Sequence, residues 1–109
     1  FSSRAEFARL QQLGLLTDAT VIVHGTALEA DDFGAMRAAP PARADGVGDG
    51  LGAKLVWSPL SNLLLYGRTT QVFAAADAGV LVSLGTDWMP SGSPTLLQEL
   101  KVADAVLRH

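Results

Sequence analysis

The stretch Val80-Leu81-Val82-Ser83-Leu84-Gly85-Thr86-Asp87-Trp88 decides how the chain is read. Four of its first five residues are apolar and rich in valine and leucine, which predicts a strand buried on both faces. Gly85 breaks the run, and Asp87 delivers a carboxylate just past the strand end. Residues 88–94, with Pro90, Gly92 and Pro94, then make a turn-rich loop before a helical pattern. In parallel α/β folds, chemistry is placed at the carboxyl ends of strands and in the loops after them.

Outward from that strand, the chain alternates. Ala53-Lys54-Leu55-Val56-Trp57 predicts a second strand, closed by the turn Ser58-Pro59-Leu60-Ser61-Asn62, with 63–67 a short apolar segment packing beneath the strand end. Thr69 or Thr70 can cap a helix that turns Val72, Phe73 and Ala76 inward and stops at Gly79. Further upstream, the β-branched run Ala19-Thr20-Val21-Ile22-Val23 predicts a strand ending in His24-Gly25. Residues 29–39 predict a helix with Asp31 or Asp32 near its start and Phe33 and Met36 on one face. At the amino end, Ser3-Arg4-Ala5-Glu6 fits a capping box, followed by Phe7, Leu10 and Leu13 at helical spacing and a stop at Gly14. At the other end, Leu96, Leu97, Leu100, Ala103 and Leu107 mark an amphipathic helix.

Residues 40–52 hold two prolines, four glycines and two aspartates and predict a loop insertion. Their glycines resemble a phosphate-binding loop only superficially. Such a loop follows a strand and opens a helix, whereas this one follows prolines and leads into a strand.

Strands near 19–24, 53–57 and 80–85, alternating with helices, imply an α/β protein with parallel strands joined by crossovers. Three strands make an incomplete sheet. If the whole is a closed barrel of eight βα units in ~250 residues, about three units are present. The expectation is therefore that 1–109 is one partial TIM-like (β/α)8 barrel domain. Both ends also look cut, since the chain opens on Phe1 and stops at His109 with no helix-ending glycine or proline.

Composition narrows the function classes. The chain is 49% apolar and 17% charged, with a net charge of −3 and scattered Lys and Arg, which argues against nucleic-acid or anionic-membrane partners. It has no cysteine, which excludes disulfides and thiolate metal sites. No apolar run approaches the roughly 18 residues of a membrane span, and the start lacks the pattern of a signal peptide. A cytoplasmic protein acting on a small molecule is expected.

His24 and Asp87 both fall at strand carboxyl ends, so a parallel sheet puts them on one rim. An imidazole and a carboxylate there can share a divalent metal or divide proton transfer. Taken singly, His24 could instead bond a backbone carbonyl and Asp87 cap a turn. Trp57, at another strand end, could wall a planar substrate or pack under a loop. Trp88 follows Asp87 and is the second candidate pocket residue. Ser91 and Ser93 could hold an anion at the start of the last helix, though capping is the simpler role. Asn62 is expected to bond backbone groups in its own turn. No G-x-S-x-G nucleophile elbow exists.

Val23-His24-Gly25, Ser58-Pro59-Leu60-Ser61-Asn62 and Leu84-Gly85-Thr86-Asp87, in this order and spacing, resemble the amidohydrolase superfamily. The most similar branch holds cytosine deaminases, guanine deaminases and chlorohydrolase-like enzymes. The resemblance runs from about Ser3 to Lys101 and implies the sixth to eighth strands of a distorted (β/α)8 barrel. It implies a metal-dependent hydrolase of C–N bonds other than peptide bonds, deaminating a nitrogen heterocycle or hydrolysing an amide or halide. Asp87 would bind the catalytic metal, zinc or else iron or manganese, and take a proton from the attacking water. His24 would polarise the substrate or orient that water.

Two departures stand out. Trp57 occupies a position where many relatives carry histidine, and the family's other metal-binding histidines would lie upstream of Phe1. The rest of the barrel, or an oligomer partner, would then be needed, and the fragment alone would be inactive. The rival expectation is a non-catalytic α/β interaction or scaffold module.

Overall fold

The computed structural model describes residues 4–66, 69–86 and 95–108. Its elements run α1 (Arg4–Gln12), β1 (Val21–Val23), α2 (Ala30–Arg37), β2 (Lys54–Trp57), α3 (Pro59–Tyr66), α4 (Val72–Asp77), β3 (Val82–Leu84) and α5 (Leu96–Leu107). The protein is thus mixed α/β, and the described residues form five helices and a three-stranded sheet in the order β1-β2-β3. Both pairings are parallel, and they place Ile22 beside Leu55 and Leu55 beside Val82. The ladder continues past the strand ends: the Lys54 N–H donates to Thr20 O, the His24 N–H to Val56 O and the Gly85 N–H to Trp57 O.

Strand alternation sorts side chains onto two faces. Ile22, Leu55 and Val82 share the covered face, packed with Phe7 of α1, Phe33 and Met36 of α2 and Ala75 of α4. Full burial of Ile22 and Leu55 contributes about 1.5–3 kcal/mol each. The opposite face is open: Val21 is 54% exposed and Val23 46%. Ser83, on the same face, is exposed as well.

That asymmetry corrects the expectation for β3. It lies at an edge of the sheet, Leu81 before it is 50% exposed, and it is not buried on both faces. The helices that pack on the sheet cover one side only.

Three helices also depart from the sequence reading. Residues 58–62 are not a turn: Pro59 is the first residue of α3, where proline's fixed φ and missing N–H suit a helix start. Leu63 and Leu64 of α3 are exposed and do not pack beneath the strand end. In α4, Ala75 is buried while Phe73 is 65% exposed. Ahead of this six-residue helix, Thr69 accepts from the Trp57 indole N–H and Thr70 donates to the His24 carbonyl. In α5, Leu96, Leu97, Leu100 and Leu107 face outward, and Glu99 and Ala103 form the buried stripe. Glu99 turns that face inward because its Oε1 accepts the Leu60 N–H at the start of α3, 2.9 Å away.

Other readings agree. Gly14 has φ 70 and follows the end of α1. Phe33 and Met36 are the buried face of α2. Arg4 joins α1 to the start of α2 through a two-pronged contact with Asp32, 2.9 and 3.2 Å. The Ser3 cap lies outside the described residues.

The loop before β2 is exposed yet tied down. Asp18 Oδ1 accepts the Ala42 N–H and its Oδ2 the Asp49 N–H. Asp49 pairs with Lys54, and Arg37 donates to Gly50 O. Gly52, at φ 73, presses its backbone against the end of α2, where Met36 O accepts the Ala53 N–H at 2.8 Å. Entry into β2 is thereby fixed, and with it the strand that both neighbours use.

Candidate functional site

Parallel strands in register deliver their carboxyl ends to one rim. Here that rim holds His24 after β1, Ser58 after β2 and Gly85 after β3. Gly85 lies so near β2 that a Cβ on it would meet Val56 Cγ1 at 2.9 Å and Ser58 Oγ at 3.4 Å.

His24 has φ 70, and among the described residues it alone is a non-glycine with positive φ. The Gly25 N–H donates to Val23 O at 3.0 Å, closing a three-residue turn around His24. A γ-turn with positive φ is rare and strained. Strain of that kind, of order 1–3 kcal/mol, persists only where neighbours over-determine the geometry, and it concentrates at functional positions.

The neighbours are specific. His24 Nδ1 lies 2.8 Å from Oδ1 of Asn62, in the first turn of α3. Asn62 Nδ2 donates to Thr70 Oγ1 at 3.0 Å, and the Thr70 hydroxyl donates to the backbone carbonyl of His24. Asn62 is fully buried and Thr70 is 2% exposed, while the His24 side chain is half-buried. A residue of α3 and one from the segment after it thus hold the ring and the backbone of one histidine far away in sequence.

This changes two roles. Asn62 bonds side chains from two other elements, where backbone bonds in its own turn were expected. Thr70 caps no helix; Gln71 holds the cap position of α4, without a side-chain bond. Both residues were named from the sequence, but their contact with His24 was not foreseen. The signal that could have found them is the pairing of a strand-end His-Gly with an Asn placed one turn into a helix that starts at Ser-Pro.

Trp57 is 4% exposed and its indole N–H donates to Thr69 Oγ1 at 2.7 Å. It shares the covered face with Leu55 and lines a cavity of about 210 Å³ with Val72, Phe73, Ala76, Val82 and Leu107. Its surroundings are those of packing on the helix side of the sheet. Asp87, Trp88, Ser91 and Ser93 lie outside the described residues. Among the described residues no group of three or more His, Asp or Glu side chains is placed to hold a metal. His24 by itself does not make a zinc site, which takes at least three protein ligands. Among the described residues, no helix is long and apolar enough to cross a membrane.

Elsewhere, among the described residues, two charged groups are shifted. The Lys54 ammonium, and then the Leu51 N–H, hold the Asp49 carboxyl below its ordinary value. Asp32, bonded to its guanidinium, raises Arg4.

Comparison with protein-family models, with curated proteins and with solved structures finds no match to this chain. What the fold and the rim define is a class: a parallel α/β protein with a strained, clamped histidine at a strand's carboxyl end.

Proposed function

We propose that the chain is a three-strand sector of a (β/α)8 barrel belonging to a hydrolase of C–N bonds other than peptide bonds. Deamination of a planar nitrogen heterocycle is the leading reaction, with amide or halide hydrolysis second. The observation that carries the reading is His24: a half-buried imidazole at a parallel strand's carboxyl end, in a strained turn, held by Asn62 and Thr70. Sequential strand order with helices packed on one face is the winding of a barrel sector, and it supports the same reading. The open face with Val21, Val23 and Ser83 then becomes barrel interior, covered by the rest of the barrel.

In this reading His24 hydrogen-bonds the substrate or the attacking water and stabilises charge that develops there. Asp87, next in the chain after Thr86, is the proposed partner carboxylate and metal ligand. A divalent metal, zinc by the family resemblance, belongs to the proposal, and its co-ligands would come from outside this chain.

The test uses the longest natural product that contains this sequence. It is assayed for ammonia release from a panel of amino-substituted nitrogen heterocycles. Asp87→Asn is expected to abolish turnover with an unchanged circular dichroism spectrum, and His24→Ala to lower kcat. Wild-type rates in Asp87→Asn would overturn the assignment. The open sheet face also favours a second reading, a non-catalytic interaction module. Absence of any turnover across the panel, together with stable self-association, would favour that one.

A further inference from the structure

We infer that Asp45 is a site of spontaneous isomerisation to isoaspartate, and that Asp49, in a second copy of the same turn, is protected from it by anchors outside the loop. The two aspartates open the repeated quartets Asp45-Gly46-Val47-Gly48 and Asp49-Gly50-Leu51-Gly52. In each quartet the aspartate Oδ1 accepts the N–H two residues on, from Val47 or from Leu51, at 2.9 Å. That bond folds the carboxyl back over the peptide nitrogen of the intervening glycine. Gly46 has φ 77 and Gly50 φ 74, and a Cβ on either would meet nothing within 4 Å, so the nitrogen has room to turn towards the carboxyl. The Asp45 side chain is 50% exposed and that of Asp49 43%, so bulk water reaches both.

The chemistry needs only the chain and water. With the carboxyl protonated, the glycine nitrogen attacks the aspartate Cγ. An N–Cγ bond forms, the Cγ–OH bond breaks, and the hydroxyl leaves with the amide proton as water. A second water then opens the cyclic imide. Cleavage of the new N–Cγ bond returns aspartate; cleavage of the original peptide C–N bond sends the main chain through Cβ and Cγ and leaves isoaspartate. The water lost is regained, so the mass does not change.

The anchors separate two otherwise matching turns. The contacts of Asp45 come from residues 43–47. Arg43 reaches its Oδ2 at 2.6 Å and Val47 its Oδ1, while the Gly46 N–H donates to Arg43 O at 3.1 Å. The Arg43 side chain is 68% exposed, and an ion pair so placed holds weakly. One local opening of residues 43–47 therefore frees the carboxyl and the attacking nitrogen together. Asp49 is tied to two other parts of the fold. Its N–H donates to Asp18 Oδ2 at 3.2 Å, and its own Oδ2 takes the ammonium of Lys54 on β2, a side chain 19% exposed. Lys54, and then the Leu51 N–H, hold the Asp49 carboxyl below its ordinary value, so its protonated, reactive form is scarcer. The contacts of Asp49 and Gly52 that fix the entry into β2 follow Asp45 in the chain, so the extra main-chain carbon at residue 45 leaves that entry in place.

The test is a long incubation of the folded chain at neutral pH and physiological temperature, with samples digested at intervals. Trypsin releases residues 44–54 as one peptide carrying both aspartates, and electron-transfer fragmentation reads isoaspartate at each. Isoaspartate is expected to accumulate several times faster at Asp45 than at Asp49, with an unchanged circular dichroism spectrum. In guanidinium chloride, where the anchors are gone, the two rates should converge. Equal rates in the folded chain, or a faster Asp49, would overturn the inference with no variant needed. A difference that persisted in denaturant would overturn it too, since the neighbouring residues and not the anchors would then set it. Lys54→Met should raise the rate at Asp49 and leave that at Asp45 unchanged; an unmoved Asp49 rate in a folded variant would remove Lys54 from the account. No arm reads turnover, so the outcome is independent of the hydrolase reading.

Discussion

Replacing Gly52 and Gly50 separately by alanine tests how the loop before β2 is welded to α2. Both glycines have positive φ, 73 and 74. Alanine in that region costs roughly 1–2 kcal/mol, offset by about 0.4–1 kcal/mol through the less flexible unfolded chain. These contributions are common to both variants. The surroundings differ: a Cβ at Gly50 meets nothing within 4 Å, while at Gly52 it meets Met36 O and Arg37 O at 2.4 Å. Those are backbone atoms at the end of α2, so the strand entry must move. Movement breaks the Ala53 N–H bond to Met36 O, worth about 1 kcal/mol, and adds about 1–3 kcal/mol of overpacking.

Gly52→Ala is therefore expected to be less stable than Gly50→Ala by about 2–4 kcal/mol, the sum of those two contributions. Urea denaturation followed by circular dichroism reads the difference as a midpoint lower by roughly 1–2 M, for a slope of about 2 kcal/mol per M. Equal midpoints would mean that the loop does not press on α2 and that the register of β2 is set elsewhere.

Two further outcomes follow from the polar contacts. Asp49 is held below its ordinary value of 3.8 by Lys54 and the Leu51 N–H, so its contribution is complete above that value and disappears as pH falls through the lower folded value. Hydrogen exchange at Leu51 should accelerate in that acid window relative to the core amide of Leu55, and Asp49→Asn should remove the difference. Glu99 is buried with Oε1 on the Leu60 N–H and Oε2 unpartnered. Glu99→Ala is expected to destabilise by about 1–3 kcal/mol by stripping that N–H of its acceptor, while Glu99→Gln, which keeps an acceptor, should cost less. Thermal unfolding of the two variants checks the order, and a reversed order would refute it.

The strands were legible because β-branched and apolar runs bounded by glycine and polar turns have few other uses. Ala19–Val23 and Ala53–Trp57 bracket the observed β1 and β2 closely. The position of His24 at a strand's carboxyl end was legible for the same reason. Its clamp was not, since the partners sit 38 and 46 residues away and bond through side chains. Helix facing failed for a related cause. Leucine counts predict which side of α5 is apolar, but the Glu99 bond to Leu60 decides which side turns inward. Phe73 was misjudged because a six-residue helix has too few turns for apolar spacing to say which side is buried.

The placement of β2 between two parallel neighbours also governs the order of assembly. Neither edge strand can reach its partner through a tight hairpin; the pairings wait until residues 24–53 and residues 58–81 have looped back. The helices, with local bonds, form on a faster clock. Capture of the third strand by β2 should thus be a late event in folding. Substitutions on β2 should slow refolding, whereas those on β1 or β3 should mainly hasten unfolding.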